Sequence, residues 1–178
     1  MKRLGALVLA VIVAGCTAFT VDGNYRAEVA TAAILMAVTN DAAAERIEIG
    51  EIPDERLPAI VEASNAGVQV AEACFQTAVS VGGIGNLLCL AGMVNGALLM
   101  ESAITAGEDD PSQVNYSDAL ALLGVALAIP DARMLRLVTE LDALPEGEVL
   151  SLETVNWAMG ELRASNERLR DAVEARMP

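Results

Sequence analysis

Histidine is absent from the 178 residues, which removes at once the commonest general base and the commonest metal ligand. Lysine occurs once, at Lys2, and aromatic residues make up only 3% of the chain. Positive charge is scarce: 11 Lys and Arg stand against 25 Asp and Glu, a formal charge of −14. Neutralising phosphates needs a basic patch, so nucleic acid is excluded as a partner. A hydrolytic triad fails for want of His, and a zinc site fails likewise. Gly82-Gly83-Ile84-Gly85 fits neither a phosphate loop nor a dinucleotide fingerprint. The acids Glu108, Asp109 and Asp110 with Asn115 and Asp118 lack the ligand order and central glycine of an EF-hand. The pair Asp54 and Glu55 has no apolar setting that would raise a carboxyl pKa for acid–base work. No catalytic residue, cofactor or metal is expected, and the chain does not read as an enzyme.

What is present is apolar and small. Hydrophobic residues are 54% of the chain, 32 residues are Ala and 14 are Gly. That is enough apolar surface to offset ordering entropy and build a core, so the chain is not a disordered acidic tail. No stretch alternates strictly with period two. Helical spacing recurs instead, and the fold class is all-α: a compact bundle of five or six helices. Helix one is predicted from Tyr25 to Ile47, with Val29, Ala33, Met36, Ala43 and Ile47 on one stripe and Asn40 interrupting it. Gly50, Pro53 and Pro58 break the pattern. The second helix is predicted from Pro58 to Ser80, the third from Asn86 to Ala106 and the fourth from Ser117 to Ile129. The fifth runs from Pro130 to Leu144 and the sixth from Ser151 to Arg176.

The first sixteen residues have their own layout. Lys2 and Arg3 precede the apolar run Leu4 to Val13, and Ala14, Gly15 and Cys16 close it. A ten-residue run is too short for a comfortable transmembrane span and has the proportions of a secretory signal. The ending Val13-Ala14-Gly15-Cys16 resembles the lipobox of bacterial lipoprotein precursors. The resemblance implies that Cys16 is alkylated by a diacylglyceryl group, that residues 1–15 are cleaved, and that the new amine receives palmitate-type acylation. Thr17, where an Asp would retain an enteric-type lipoprotein at the inner membrane, implies the outer membrane, with the body facing the periplasm. Residues 16–24 then form a lipidated N-terminus and short tether, and 25–178 a single helical domain. The processed chain keeps nine Arg and no Lys against its 25 acids, a net charge of −16. An anionic surface repels such a body, so acyl chains are the expected attachment to the membrane.

With Cys16 taken by lipid, Cys74 and Cys89 remain in an oxidising compartment. Ala63, Gly67, Cys74 and Thr77 share one stripe of helix two; Gly85, Cys89, Gly92, Gly96 and Ala103 share one of helix three. Small seams allow close helix approach. If the two helices fold back about a turn between Val81 and Gly82, Cys74 and Cys89 come level. A continuous helix would separate them by ~22 Å, against a limit of ~7 Å for a bridge. A central Ala/Gly-rich antiparallel hairpin carrying a Cys74–Cys89 disulfide is therefore expected. No charge falls between Glu72 and Glu101, so the same hairpin is also conceivable as a membrane-inserting element.

Leu152, Val155, Met159, Leu162, Asn166, Leu169 and Val173 repeat at alternating steps of three and four. This is a heptad seam with Asn166 at an a position, where it can fix register in a dimer. Packing of the seam on the protein's own bundle is the favoured expectation. Trp157 falls outside the seam; with Asn166 it is a candidate partner-binding residue.

The function expected from these features is a non-catalytic, lipid-anchored cell-envelope lipoprotein, a helical binding or scaffolding module with an envelope protein as partner. Two alternatives stay open. One is a membrane-active or oligomerising hairpin protein, toxin-like or lysis-related; the other is a helical carrier of a small molecule.

Overall fold

The computed structural model describes residues 25–78 and 131–177. Among them are four α-helices, one short 3-10 turn and no strand. Helix α1 is Tyr25–Glu48, α2 is Leu57–Ala78, α3 is Ala132–Asp142 and α4 is Leu152–Arg176, with the turn at Asp54–Arg56. The expected helices at 86–106 and 117–129, and with them the far arm of the central hairpin, lie outside the described residues.

Helix α1 is the core helix. Eight of its 24 residues are Ala, the best helix former and a side chain slim enough to let neighbours close in. The expected stripe is buried throughout, from Val29 through Ile47, and so is Asn40. Burial extends well beyond it: Ala27, Ala30, Ala32, Ile34, Ala37, Thr39 and Ala44 lie on other faces and are also covered. A helix apolar on every side belongs inside a domain rather than on its surface. It ends in a Schellman motif. Gly50 takes φ +78, its N–H bonds the Ile47 carbonyl at 3.0 Å, and Glu51 N–H bonds the Arg46 carbonyl at 2.9 Å. The same Arg46 and Glu51 pair their side chains at 3.3 Å.

Cross-helix bonds give the helix directions. Tyr25 donates its hydroxyl to the Cys74 carbonyl at 2.5 Å, and Ser64 meets Asn40, so α2 runs antiparallel to α1. Arg26 bonds the Leu150 carbonyl, Asn40 bonds Ser165 and Arg176 bonds the Ile47 carbonyl. Helix α4 therefore runs parallel to α1. Arg133 reaches Asp41 while Thr154 reaches Glu140, which sets α3 antiparallel to both.

The boundaries follow local chemistry. Asp131 caps α3: its carboxylate accepts from the N–H groups of Arg133 and Met134 at 2.7 and 3.3 Å. Ser151, where the sixth helix is expected to begin, caps α4 and accepts from Thr154 N–H at 3.1 Å. The α4 seam packs on this chain's own core from Val155 to Val173. Leu152 is the exception. It is 42% exposed.

Two apolar clusters make the described core. One joins Val29, Ile34 and Met36 of α1 to Ala71 and Cys74 of α2, Leu137 of α3 and Val155, Met159 and Leu162 of α4. The other joins Ala43 and Ile47 to Ile52, Leu57, Ile60, Leu169 and Val173. Each large aliphatic side chain buried in this way is worth about 1.5–3 kcal/mol.

Candidate functional site

Between the two clusters lies a polar layer. Asn40 of α1, Ser64 of α2 and Ser165 and Asn166 of α4 are all buried. Ser64 Oγ donates to Asn40 Oδ1 at 2.9 Å, and Asn40 Nδ2 donates to Ser165 Oγ at 3.2 Å. Asn166 Nδ2 donates to Ser64 Oγ at 2.8 Å and to Asn65 Oδ1 at 3.2 Å. Ser165 returns its own proton to the Leu162 carbonyl. Burying amides and hydroxyls is costly unless partners are supplied, and here three helices supply them to one another. The layer is thus a register device: sliding any helix by one turn would strand several groups.

A second cluster is ionic and lies nearer the surface. Arg133 of α3 bonds Asp131 and, at 2.7 Å, Asp41 of α1. Arg168 of α4 grips the same Asp41 through Nε and Nη2, both at 2.9 Å. The hydrogen bond from Arg133 holds the Asp131 carboxyl below its ordinary value. The Arg133 and Arg168 guanidinium pKa values rise, chiefly through their bonds to Asp131 and Asp41 respectively. Every charge in this cluster has an opposite partner, and the arrangement docks α3 on α1 and α4.

Two recesses open beside these clusters. One, about 800 Å³, lies between α2 and the end of α4, floored by Pro58, Val61, Ala66, Val173 and Met177 and edged by Glu62, Arg170 and Glu174. Asn65, which touches the polar layer, also lines it. The other, about 370 Å³, is bounded by Asp41, Glu45, Glu48, Arg168 and Asp171. The first is open and mixed in character rather than a closed cavity. Among the described residues no group of acids and cysteines has the geometry to hold a metal ion. No described helix is long and apolar enough to cross a membrane.

The residues singled out in the sequence fall as follows. Asn166 is spent on the internal polar layer and faces Ser64 and Asn65 of its own chain. Trp157 is half-buried against the first cluster, with the Arg136 guanidinium 4.0 Å above its ring, so its off-seam position serves a second internal contact with α3. Gly67 of the α2 small seam faces α1: a Cβ there would collide with Met36 Cε. Asp54 and Glu55 sit on the 3-10 turn, where Asp54 pairs with Arg176. Cys16 and Cys89 lie outside the described residues.

Of the expected Cys74–Cys89 disulfide, only Cys74 lies among the described residues. Cys74 is the single described cysteine, so no disulfide joins two described residues. Its side chain is buried in the first core cluster, together with Ala71 and residues of α1. Cys74 is disulfide-bonded, and Cys89, the partner expected for it, lies outside the described residues.

Sequence reasoning missed the roles of Asn40, Ser64, Asp41 and Arg133. A signal was available for the first: a single Asn inside an otherwise apolar stripe marks a buried amide that needs partners. The fold and its clusters define an all-α bundle with a buried polar layer. No protein-family model, characterised protein or solved structure matches the chain.

Proposed function

We propose that this protein is a lipid-anchored bacterial cell-envelope lipoprotein whose helical body binds or scaffolds another envelope protein without catalysing a reaction. The observation that carries the reading is the run Val13-Ala14-Gly15-Cys16 behind Lys2-Arg3 and ten apolar residues. Cleavage before Cys16 leaves acyl chains on that residue, a tether through residue 24, and the body from residue 25 onward, facing the periplasm from the outer membrane. Two or three acyl chains suffice for stable attachment where one is marginal. The body's own polar chemistry supports a binding role over a catalytic one. The buried amides and hydroxyls of the polar layer and the Arg133 cluster are already engaged in packing. The groove between α2 and α4 remains as a surface for a partner. Five or six helices, with the central hairpin completing the bundle, belong to the same proposal.

The test is metabolic labelling with palmitate and mass analysis of the mature N-terminus in a bacterial host. Label on the wild type, lost in Cys16→Ser, supports the reading. An unmodified Cys16, or a mature chain beginning elsewhere, rejects it. The uncharged run from 73 to 100 favours a second reading, a membrane-active hairpin protein. A chain starting at Thr17 that purifies as a compact species without detergent rejects that second reading, and one that needs detergent supports it.

A further inference from the structure

Resting on the lipoprotein reading, we infer that the body docks on the bilayer by one defined end, the loop before α4, with Val149 and Leu152 meeting a neutral lipid headgroup layer. Arg26, in the first turn of α1, holds the Leu150 carbonyl at 3.2 Å. That bond fixes the 145–152 segment beside the point where the tether enters the fold. Residues 17–24 reach at most ~28 Å when extended. Helix α1 is 24 residues long, so its far end, at Ile49, stands ~36 Å from Tyr25. Inverting the body to bring Ile49 to the surface would need a longer tether than the chain has.

Within reach, the tethered end offers apolar side chains. Val149 is 46% exposed and Leu152 is 42% exposed, on either side of the Ser151 cap. Gly147, in the same loop, takes φ +85 with open space around it. Glu146, Glu148 and Glu153 are exposed beside this pair. Their charges bar entry into the hydrocarbon and repel anionic lipid, which restricts the contact to a neutral headgroup layer.

The experiment uses the full chain made in bacteria, with acylation of Cys16 verified by mass, and reconstituted in phosphatidylcholine vesicles carrying a nitroxide label on the choline headgroup. Trp157 is the chain's only tryptophan, so a Trp157→Phe background reports on one introduced tryptophan. Val149→Trp is expected to lose emission to the headgroup nitroxide, while Ile49→Trp and Leu135→Trp keep theirs. In the unsubstituted chain, amide exchange across 146–150 is expected to slow on vesicles relative to detergent, with no change across 48–52. This second measurement decides the matter if a variant misfolds. An acylated protein with neither quenching at 149 nor slowed exchange overturns the docking end and leaves the anchor intact. Quenching at 135 alone overturns it as well, since the body would then lie on α3. Absence of acylation overturns the lipoprotein reading itself.

Discussion

Ser64 of α2 gives its hydroxyl proton to the carboxamide of Asn40 on α1 at 2.9 Å, at the level where one apolar cluster ends and the next begins. Asn166 of α4 approaches the same Ser64 oxygen at 2.8 Å. Three helices thus agree on one height along the bundle through a single hydroxyl.

Asn40→Ala should lower stability by about 1–3 kcal/mol, since it strands the Ser64 proton and the Ser165 acceptor away from water. The urea midpoint of the folded body reads this directly. Adding Ser64→Ala to Asn40→Leu should recover much of the loss, because an apolar pair leaves fewer groups unsatisfied. Equal losses in both variants would show that the layer has no hydrogen-bonding role.

Gly67→Ala tests the close approach of α2 to α1. Alanine gains about 1 kcal/mol of helix propensity over glycine, but the new methyl meets Met36, whose side chain is itself buried. Overpacking costs about 1–3 kcal/mol, so a net loss of about 1 kcal/mol is expected in thermal melts. Met36→Ala should be tolerated better in the Gly67→Ala background than in the parent chain, because the shortened side chain makes room for the added methyl. A double-mutant cycle with no coupling would contradict the contact.

Asp131 makes an acid-sensitive contribution. Its folded carboxyl lies below the ordinary 3.8, first through the Arg133 hydrogen bond. For a lowered acid, the stabilisation is complete above pH 3.8 and fades as pH falls through the folded value. Thr154 and then Arg136 hold Glu140 down in the same direction from 4.5. Asp131→Ala should cost about 1 kcal/mol near neutrality through the lost cap, and should flatten the acid limb of a melting-temperature profile. An unchanged acid limb would refute the assignment.

Arg136→Ala removes the cation above Trp157. A loss of about 0.5–1 kcal/mol is expected, together with a red shift of the single tryptophan's emission as water reaches the ring. Arg136→Lys should keep part of both. Emission identical to the wild type would place Trp157 in contact with something other than this guanidinium.

Much of the described fold is legible in the residues. The helix at 25–48 and its buried stripe, the Gly50 stop, the Ser151 cap and the α4 seam all follow from spacing and terminal chemistry. Asn40 was legible as an interruption but not as a hub, because its partners Ser64 and Ser165 are 24 and 125 positions away. The Asp131 cap lay one residue beyond a proline that suits a helix start equally well. The α2 seam of small residues announces close packing without saying against what, and Gly67 meets α1.

What the sequence by itself determined is local: where helices start and stop, and which faces are apolar. Periodicity records these because each depends on neighbours three and four positions away along one helix. Only the tertiary structure decided that α4 lies parallel to α1, that Asp41 serves arginines from two helices, and that Asn166 turns inward to Ser64. Those outcomes depend on which faces meet after the chain has doubled back. A helix's apolar stripe requires a partner but does not name one; shape and hydrogen-bond complementarity between distant segments make that choice.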